Sequence, residues 1–204
     1  MYEKGLLIVL SAPSGGGKDA ILEKAFLRDK TLSYSVSATT RAKRDGELDG
    51  ISYHFVTKPE FENLIADGEI IEYTTYCGNY YGTPKRPVLK MLDEGKNVVL
   101  KIEVEGAANI KKMFPDCVLI FVLPPSMKEL RRRLEKRGTE TAESLEKRLV
   151  RAREEIGMAH NFDYIIINDD LDKTVDDFCS IVAVQRHKTE LNTEKIKGIL
   201  AENV

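Results

Sequence analysis

The sequence lacks both a strong excess of charge and a long apolar run. Its 204 residues include 31 lysines and arginines against 33 aspartates and glutamates, so the formal net charge is -2. This balance excludes a global field for nucleic acid or a membrane surface, so a polyanion site must be local. The apolar run at residues 6–10 is too short for a signal sequence or a membrane span. These absences predict a cytoplasmic protein with no nucleic acid or membrane partner.

Cysteine and histidine are also scarce. The three cysteines, Cys77, Cys117 and Cys179, form an odd number without the spacing of a metal site. The three histidines show neither metal-ligand nor catalytic-triad spacing. We therefore predict that the cysteines are reduced packing residues, and we assign no chemistry to the histidines.

The sequence does contain an alternation of β-rich runs and helical patterns. The runs LLIVLS, YSVSATT, NVVLKIE, CVLIFVL and DYIIIN are separated by helical periodicity, as in residues 20–27, 88–94 and 126–136. This alternation predicts an α/β fold in which helices cover both faces of a parallel sheet.

Two segments interrupt the alternation. Residues 39–87 have half-polar strands around a short helix, which predicts an inserted α+β lobe. Residues 126–158 are charged and helical, which predicts a mobile lid between two core strands. We expect a single domain over residues 1–204, with a core made of residues 1–38, 88–125 and 159–204.

The first predicted strand leads into a glycine-rich loop, SAPSGGGKDA. A phosphate-binding loop of the pattern G-x-x-x-x-G-K-[ST] follows a buried strand and opens a helix, and its backbone N–H groups surround the phosphates. A plain glycine-rich turn is the alternative. The predicted phosphate site consists of Ala12, Pro13, Ser14, Gly15, Gly16, Gly17, Lys18 and Asp19.

Ordered motifs along the chain resemble those of the guanylate kinase family. The stretch TTRAKRDGELDGISY fits the family pattern T-T-R-x-x-R-x-G-E-x-x-G-x-x-Y, and GEIIEY, GNYYGT and LRRRLEKRGTETAESLEKRL follow in the family's order. The resemblance runs from residue 7 to about residue 182. It implies a P-loop kinase core with a GMP-binding lobe and a helical lid. The implied activity is transfer of the γ-phosphoryl group of ATP to GMP, with Mg²⁺ accompanying ATP.

The inserted lobe has side chains that suit the 5′-phosphate of GMP. Arg41 and Arg44 offer planar sets of donors for a phosphate dianion, and Tyr53 and Tyr81 can add phenolic donors. A solvated charged loop and ordinary strand aromatics are the alternatives for these residues.

Guanine presents two neighbouring donors, N1–H and N2–H₂, where adenine presents an acceptor at N1. A carboxylate therefore accepts from guanine and repels adenine. The resemblance implies that Glu72 has this role, with Thr83 and Ser37 near O6 and Glu103 supporting the amino group.

The lid and the phosphate loop supply the cations for phosphoryl transfer, which depends on positioning and charge neutralisation. Lys18 is expected to reach the β- and γ-phosphates of ATP. The resemblance implies that Arg137 and Arg148 close on the transferred group and, with Lys18 and Arg41, form the catalytic set. It places Arg133 near the adenine of ATP and Asn168 at the adenine edge. The sequence predicts that three other lid arginines form surface ion pairs along their helices: Arg131, Arg132 and Arg151.

Two positions depart from the family pattern. Asp19 stands where a hydroxyl residue usually holds Mg²⁺, and Lys101 stands where the family has an acid. If the two side chains approach each other, Asp19 becomes the Mg²⁺ ligand and Lys101 offsets its charge. The alternatives are that Asp19 only stabilises a helix N-terminus, or that the enzyme is slow.

Three function classes remain open from the sequence. The first is the ATP:GMP phosphotransferase, and the second is a guanylate kinase-like module that binds GMP or a protein without efficient catalysis. The third is a kinase of another nucleoside monophosphate, against which Glu72 and Thr83 argue. The sequence predicts no particular oligomeric state.

Overall fold

The computed structural model describes residues 4–76, 78–136 and 142–202. Its strands are β1 (Leu7–Ser11), β2 (Leu32–Tyr34), β3 (Ala38–Thr39), β4 (His54–Phe55), β5 (Ile70–Tyr76), β6 (Asn79–Pro84), β7 (Asn97–Lys101), β8 (Val118–Leu123) and β9 (Tyr164–Ile167). Its α-helices are α1 (Lys18–Arg28), α2 (Lys58–Ala66), α3 (Lys85–Asp93), α4 (Val104–Met113), α5 (Met127–Lys136), α6 (Ala142–Gly157), α7 (Leu171–Gln185) and α8 (Thr193–Ala201).

The larger sheet is parallel throughout and has the strand order β2-β7-β1-β8-β9. The central strand β1 is buried along its whole length, and its Val9 pairs with Leu100 on one side and Leu119 on the other. The prediction of an α/β fold with a parallel sheet is therefore confirmed. Because all strands run the same way, their carboxyl ends meet at one edge, where the glycine-rich loop leaves β1.

Helices cover both faces of this sheet because successive side chains of a strand point to opposite sides. Ile8 and Leu10 of β1 belong to a core that includes residues of α1 and α7. Leu7 and Val9 belong to the opposite core, which includes residues of α3 and α4. Strands that are apolar on both faces therefore lie in the middle of three layers.

The smaller sheet has the order β4-β3-β6-β5 and, apart from Ala38, lies in the segment predicted as an inserted lobe. Its β3 runs antiparallel to β6, which in turn runs antiparallel to β5. Helix α2 begins with a capping box, in which Thr57 accepts from the N–H of Glu60 and the Glu60 carboxylate accepts from the N–H of Thr57. Phe61 of α2 is fully buried and stacks on Tyr80 of β6.

The prediction of one strand over YSVSATT is wrong. The chain leaves the larger sheet after Tyr34 and enters the smaller sheet at Ala38. The N–H of Ser35 still donates to Val99, whereas the carbonyl of Ser37 accepts from His54 of the smaller sheet. The apolar pattern alone does not reveal that its two ends pair with different strands.

Helices α5 and α6 occupy the segment predicted as a lid, between β8 and β9. They share a small apolar core that includes Leu130, Leu134, Leu145 and Leu149. The Oγ of Ser126 accepts from the N–H of Glu129 and thereby caps α5. The lid therefore has its own core, separate from the two cores on the larger sheet.

Cys117 and Cys179 are free thiols that pack in or against the cores of the larger sheet. Burial raises the pKa of Cys117 to about 11, which suits a packing residue. Cys77 lies outside the described residues. Among the helices described here, none combines the length and the apolar character needed to cross a bilayer.

Candidate active site

The loop between β1 and α1 is held by its own backbone and by Asn168. The N–H of Gly16 donates to the carbonyl of Pro13, and Gly17 caps α1 with φ 96°, a conformation that favours glycine. The Nδ2 of Asn168 donates to the carbonyl of Gly16 at 2.8 Å, and a Cβ on Gly17 would overlap this amide. The loop is thereby fixed at the positive end of α1, where main-chain N–H groups favour a phosphate.

Lys18 is the first residue of α1, and its side chain turns back over the loop. Its Nζ donates to the carbonyl of Ala12 at 2.9 Å. Burial lowers the pKa of Lys18, and the carboxyl groups of Glu103 and Glu155 oppose that effect. A cation is therefore held at the mouth of the loop by the carbonyl, in the position that a nucleotide phosphate needs.

Asp19 and Lys101 form an ion pair, with the Nζ of Lys101 2.6 Å from the Oδ1 of Asp19. Burial is the largest single influence and lowers the pKa of Lys101, but the hydrogen bond to Asp19 and the nearby charges of Asp19 and two tyrosines together outweigh it, so the pKa is raised. The ammonium also lies 6.0 Å from the centre of the Tyr34 ring. The prediction that Asp19 and Lys101 approach each other is confirmed.

The smaller sheet brings Arg41 together with Tyr53 and Tyr81. The guanidinium of Arg41 lies 5.6 Å from the centre of the Tyr53 ring, and its side chain hydrogen-bonds with Tyr81. Glu47 holds this group in place, since its Oε1 accepts from Arg41 at 2.6 Å and its Oε2 from the N–H of Arg44. The Arg44 side chain is exposed at the rim of this cluster.

Glu72 and Thr83 face each other across β5 and β6. The hydroxyl of Thr83 donates to the Oε1 of Glu72 at 2.7 Å. Burial raises the pKa of Glu72, the Thr83 hydrogen bond lowers it in part, and Glu103 adds to the rise. The Oε2 of Glu72 lies so close to Gly106 of α4 that a Cβ there would be 3.0 Å away. The inserted lobe thus places its half-buried Glu72 carboxyl group directly against α4 of the core.

Ser37 lies between the two sheets and its side chain hydrogen-bonds with Tyr34. Glu103 lies at the end of β7, where it forms the N-cap of α4. Glu103 is near enough to influence both Glu72 and Lys18, so the structure brings Glu72, Thr83 and Glu103 together near the lysine of the phosphate loop.

The lid contacts the phosphate loop through Arg148, whose Nη2 lies 2.6 Å from the Oγ of Ser14. Arg133 donates to the carbonyl of Asn168 and to the carboxylate of Glu129. Hydrogen bonds from Arg132 and Arg133 lower the pKa of Glu129 to about 2. Arg137 lies outside the described residues, so its place in the catalytic set stays a prediction.

The three lid arginines that were predicted to be surface residues have ion-pair partners of different exposure. Arg131 and Arg132 make ion pairs with exposed or half-exposed glutamates of the lid. Arg151 makes the expected pair four residues along its helix, but its partner Glu155 is buried. The prediction of an exposed, helix-paired arginine is therefore confirmed for Arg151, and only its partner Glu155 departs from a solvated face.

Three acidic residues that pair with arginines at the site were not predicted from the sequence. Glu47 belongs to the motif R-x-x-R-x-G-E, so its position next to two arginines could have indicated its role. Glu129 and Glu155 are four residues from Arg133 and Arg151, respectively, a spacing that signals a helix pair. The spacing does not show that Glu155 faces the interior, because that depends on how the lid packs.

Asp19 fits a magnesium ion that is held mainly by phosphate oxygens and water. Its carboxylate lies in the first turn of α1, beside the loop that would hold the phosphates. Magnesium commonly takes one or two protein carboxylates, phosphate oxygens and several waters. Within the described residues no cluster of three or more histidine, cysteine or acidic side chains could hold a metal alone. Asp19 would therefore hold the ion together with the phosphate oxygens of a bound nucleotide.

Comparisons with known proteins agree with this geometry. A family profile described as guanylate kinase matches residues 4–185. A guanylate kinase of Oceanobacillus iheyensis is 45% identical over 202 residues, which is 99% of this chain and 98% of that protein. A guanylate kinase of Halalkalibacterium halodurans is 47% identical over 193 residues, 95% of each chain. The crystal structure of guanylate kinase from Anaplasma phagocytophilum superimposes with a TM-score of 0.71 at 37% identity, covering 92% of this chain and 89% of the other.

Proposed function

The chain belongs to the guanylate kinase family and is an ATP:GMP phosphotransferase, and we propose an assignment of its residues to that reaction. The observation that supports catalysis, rather than binding alone, is the intact phosphate loop with Lys18 folded over it. A module that only binds GMP has no need of a cation at this position.

In this assignment the 5′-phosphate of GMP binds to the cluster formed by Arg41, Arg44, Tyr53 and Tyr81. Arg41 and Arg44 neutralise the phosphate dianion, while Tyr53 and Tyr81 donate to its oxygens. Glu47 already orients Arg41 and the backbone of Arg44. Pre-orientation lowers the conformational entropy lost when the phosphate binds.

The base of GMP is assigned to the half-buried carboxyl group of Glu72. Its Oε1 is held by Thr83, so the carboxylate has a fixed orientation toward the two guanine donors. The hydroxyl groups of Ser37 and Thr83 are assigned to O6 of guanine, and the Glu103 carboxylate accepts from the guanine amino group. The half-buried position supports specificity, because a base that leaves such a group unpaired is rejected by a factor of roughly 10⁴ or more.

ATP is assigned to the loop from Ala12 to Asp19, with Arg133 and Asn168 on the adenine side. The GMP phosphate is already an anionic nucleophile, so no general base is needed. Lys18, Arg41 and Arg148 stabilise the charge that spreads over the transferred group, and the family resemblance adds Arg137. The contact of Arg148 with Ser14 supports its placement beside this group.

Magnesium is the cofactor that we assign to the ATP site, with Asp19 as its protein ligand. The ion would supply positive charge at the β- and γ-phosphates when bound. Lys101 offsets the charge of Asp19 and keeps its carboxylate beside the loop.

The lobe, lid and core boundaries at residues 39–87 and 126–158 remain part of the proposal. The smaller sheet starts at Ala38, one residue before the proposed lobe. A cytoplasmic location likewise remains a prediction from the sequence.

The test is an assay of ADP release with Mg²⁺-ATP and, separately, GMP, AMP, CMP and UMP. We expect turnover with GMP to exceed that with the other three by at least about a hundredfold. Lys18→Met should abolish most turnover, whereas the control Lys24→Met, on the exposed face of the same helix, should not. Tight GMP binding by the wild type without ADP release would instead favour the binding module. Faster turnover of another monophosphate would overturn the assignment of Glu72.

A further inference from the structure

Glu155 is a buried acid in the last turn of the lid helix α6. Its side chain is only 8% exposed, and its Oε1 accepts from the Nε of Arg151 at 3.0 Å. Its Oε2 is fully buried and has no hydrogen-bond donor among the residues that the structure describes. A buried carboxylate oxygen without a donor costs roughly 1–3 kcal/mol or more, so this atom needs an explanation.

The neighbour of Glu155 is Glu103, an acceptor rather than a donor. The two side chains are within hydrogen-bonding reach, and the Nη2 of Arg151 lies 3.7 Å from the Oε2 of Glu103. Burial, followed by the proximity of Glu103, raises the pKa of Glu155. Two carboxyl groups in contact bind a proton between them, because both cannot be ionised at low cost.

We propose that Glu155 is a positioning residue for the GMP site, which carries a proton and donates it in a hydrogen bond to Glu103. The bond orients the Glu103 carboxylate toward the base and fastens α6 to the end of β7. This inference rests on the proposed role of Glu103 in accepting from the guanine amino group.

The charges around the pair are consistent with one proton and one negative charge. Arg151 faces both carboxyl groups from α6, and Lys18 approaches from α1, with both Glu103 and Glu155 acting on it. With one proton shared, the two carboxyl groups carry a single negative charge, which balances Arg151. Lys18 therefore remains available for ATP. As pH rises and Glu155 ionises, repulsion displaces Glu103, so the KM for GMP should increase.

The first experiment follows the glutamate carboxyl carbons by NMR as a function of pH, without nucleotide. We expect the raised pKa of Glu72 and, beside it, a second raised pKa that disappears in Glu155→Gln. Both persist in the matched control Glu154→Gln, an exposed neighbour on the same helix. A titration in which no raised pKa is lost in Glu155→Gln would overturn the proposal. This measurement is independent of turnover, so it separates the proposal from the assignment of GMP as substrate.

The second experiment measures the KM values for GMP and ATP between pH 6 and 9. Glutamine resembles the protonated acid and can still donate, so Glu155→Gln should remove the rise of the GMP KM at high pH. Glu155→Ala, which cannot donate, should raise the GMP KM by about tenfold with a smaller change in the ATP KM. Equal losses for glutamine and alanine, with both KM values affected alike, would show a purely structural role and overturn the proposal.

Discussion

Replacement of Lys101 by alanine is expected to weaken ATP binding, although Lys101 is not assigned a direct contact with ATP. The substitution removes the partner of Asp19, whose carboxylate is 2.6 Å away and whose side chain is 75% exposed. The Asp19 charge then acts unopposed on the phosphates beside Lys18. Changing Asp19 to serine in the same protein removes that charge and should restore part of the loss.

The magnitude follows from the position of Asp19, one residue beyond Lys18 on α1. Two like charges roughly 6 Å apart, at an effective dielectric constant of about 40 between surface and bulk water, repel by about 1.4 kcal/mol. This corresponds to about a tenfold increase in the KM for ATP. The ion pair itself is largely exposed, so its contribution to the free energy of unfolding is roughly 0.2–1 kcal/mol.

The assay compares the wild type, Lys101→Ala, Asp19→Ser and the double variant for the KM of ATP and thermal unfolding without nucleotide. Lys111→Ala is the matched control, because Lys111 is about as exposed as Lys101 and pairs with Asp163 near the amino ends of β8 and β9. This control should lower stability and leave the KM for ATP unchanged. If the Lys101→Ala effect on the KM is the same with aspartate or serine at position 19, the pair carries no coupling and the reasoning is refuted.

The dependence of the rate on Mg²⁺ concentration tests the hypothesis that Asp19 is a ligand of the ion. Asp19→Ala removes the assigned oxygen ligand, so it should raise the Mg²⁺ concentration needed for half-maximal rate and lower kcat, with GMP binding nearly unchanged. Asp19→Ser should retain more activity than alanine. A normal kcat with an unshifted Mg²⁺ titration would leave Asp19 as a helix-terminal residue worth about 0.5–1 kcal/mol of stability.

Three further substitutions test the remaining assignments. Glu72→Gln should lower kcat/KM for GMP by roughly 10² or more, and an unchanged value would remove Glu72 from the base site. Because burial raises the pKa of Glu72, the folded state holds its proton to higher pH than the unfolded chain. The free energy of unfolding should therefore fall as pH rises from the ordinary carboxyl pKa through the raised one, and calorimetry of Glu72→Gln should show a flatter slope. Lys18→Met should abolish most turnover while GMP affinity, measured by calorimetry, changes less than tenfold. Glu47→Gln should loosen Arg41 and raise the KM for GMP more than it lowers kcat.

The parts of the structure that follow from local pattern could be predicted from the sequence. A buried strand that runs into SGGGK and then a helix needs only neighbouring residues to form, and the loop lies where the pattern placed it. The approach of Asp19 and Lys101 could also be predicted, because strands of a parallel sheet end at one edge and β7 pairs with β1. The first conclusion depends on local sequence alone, and the second on chain direction and strand adjacency.

The parts that depend on distant pairing could not be predicted in this way. The β-rich run YSVSATT has the composition of one strand, yet Tyr34 pairs with Val99 while Ala38 pairs with Gly82. No local property of the run reveals that these partners belong to different sheets. Likewise, Arg151 and Glu155 have the spacing of a surface pair, and only the packing of the lid on the core buries the acid.

The lid helix connects the two proposed nucleotide sites. Arg148, Arg151 and Glu155 are separated by three and four residues, so they lie along one face of α6. The first contacts Ser14 in the phosphate loop, and the last lies against Glu103 at the GMP site. A rigid helix that contacts both sites cannot shift at one end without disturbing the other. If the proposed assignments hold, closure of the lid over ATP is coupled through α6 to the orientation of the Glu103 carboxylate, which we assign to guanine.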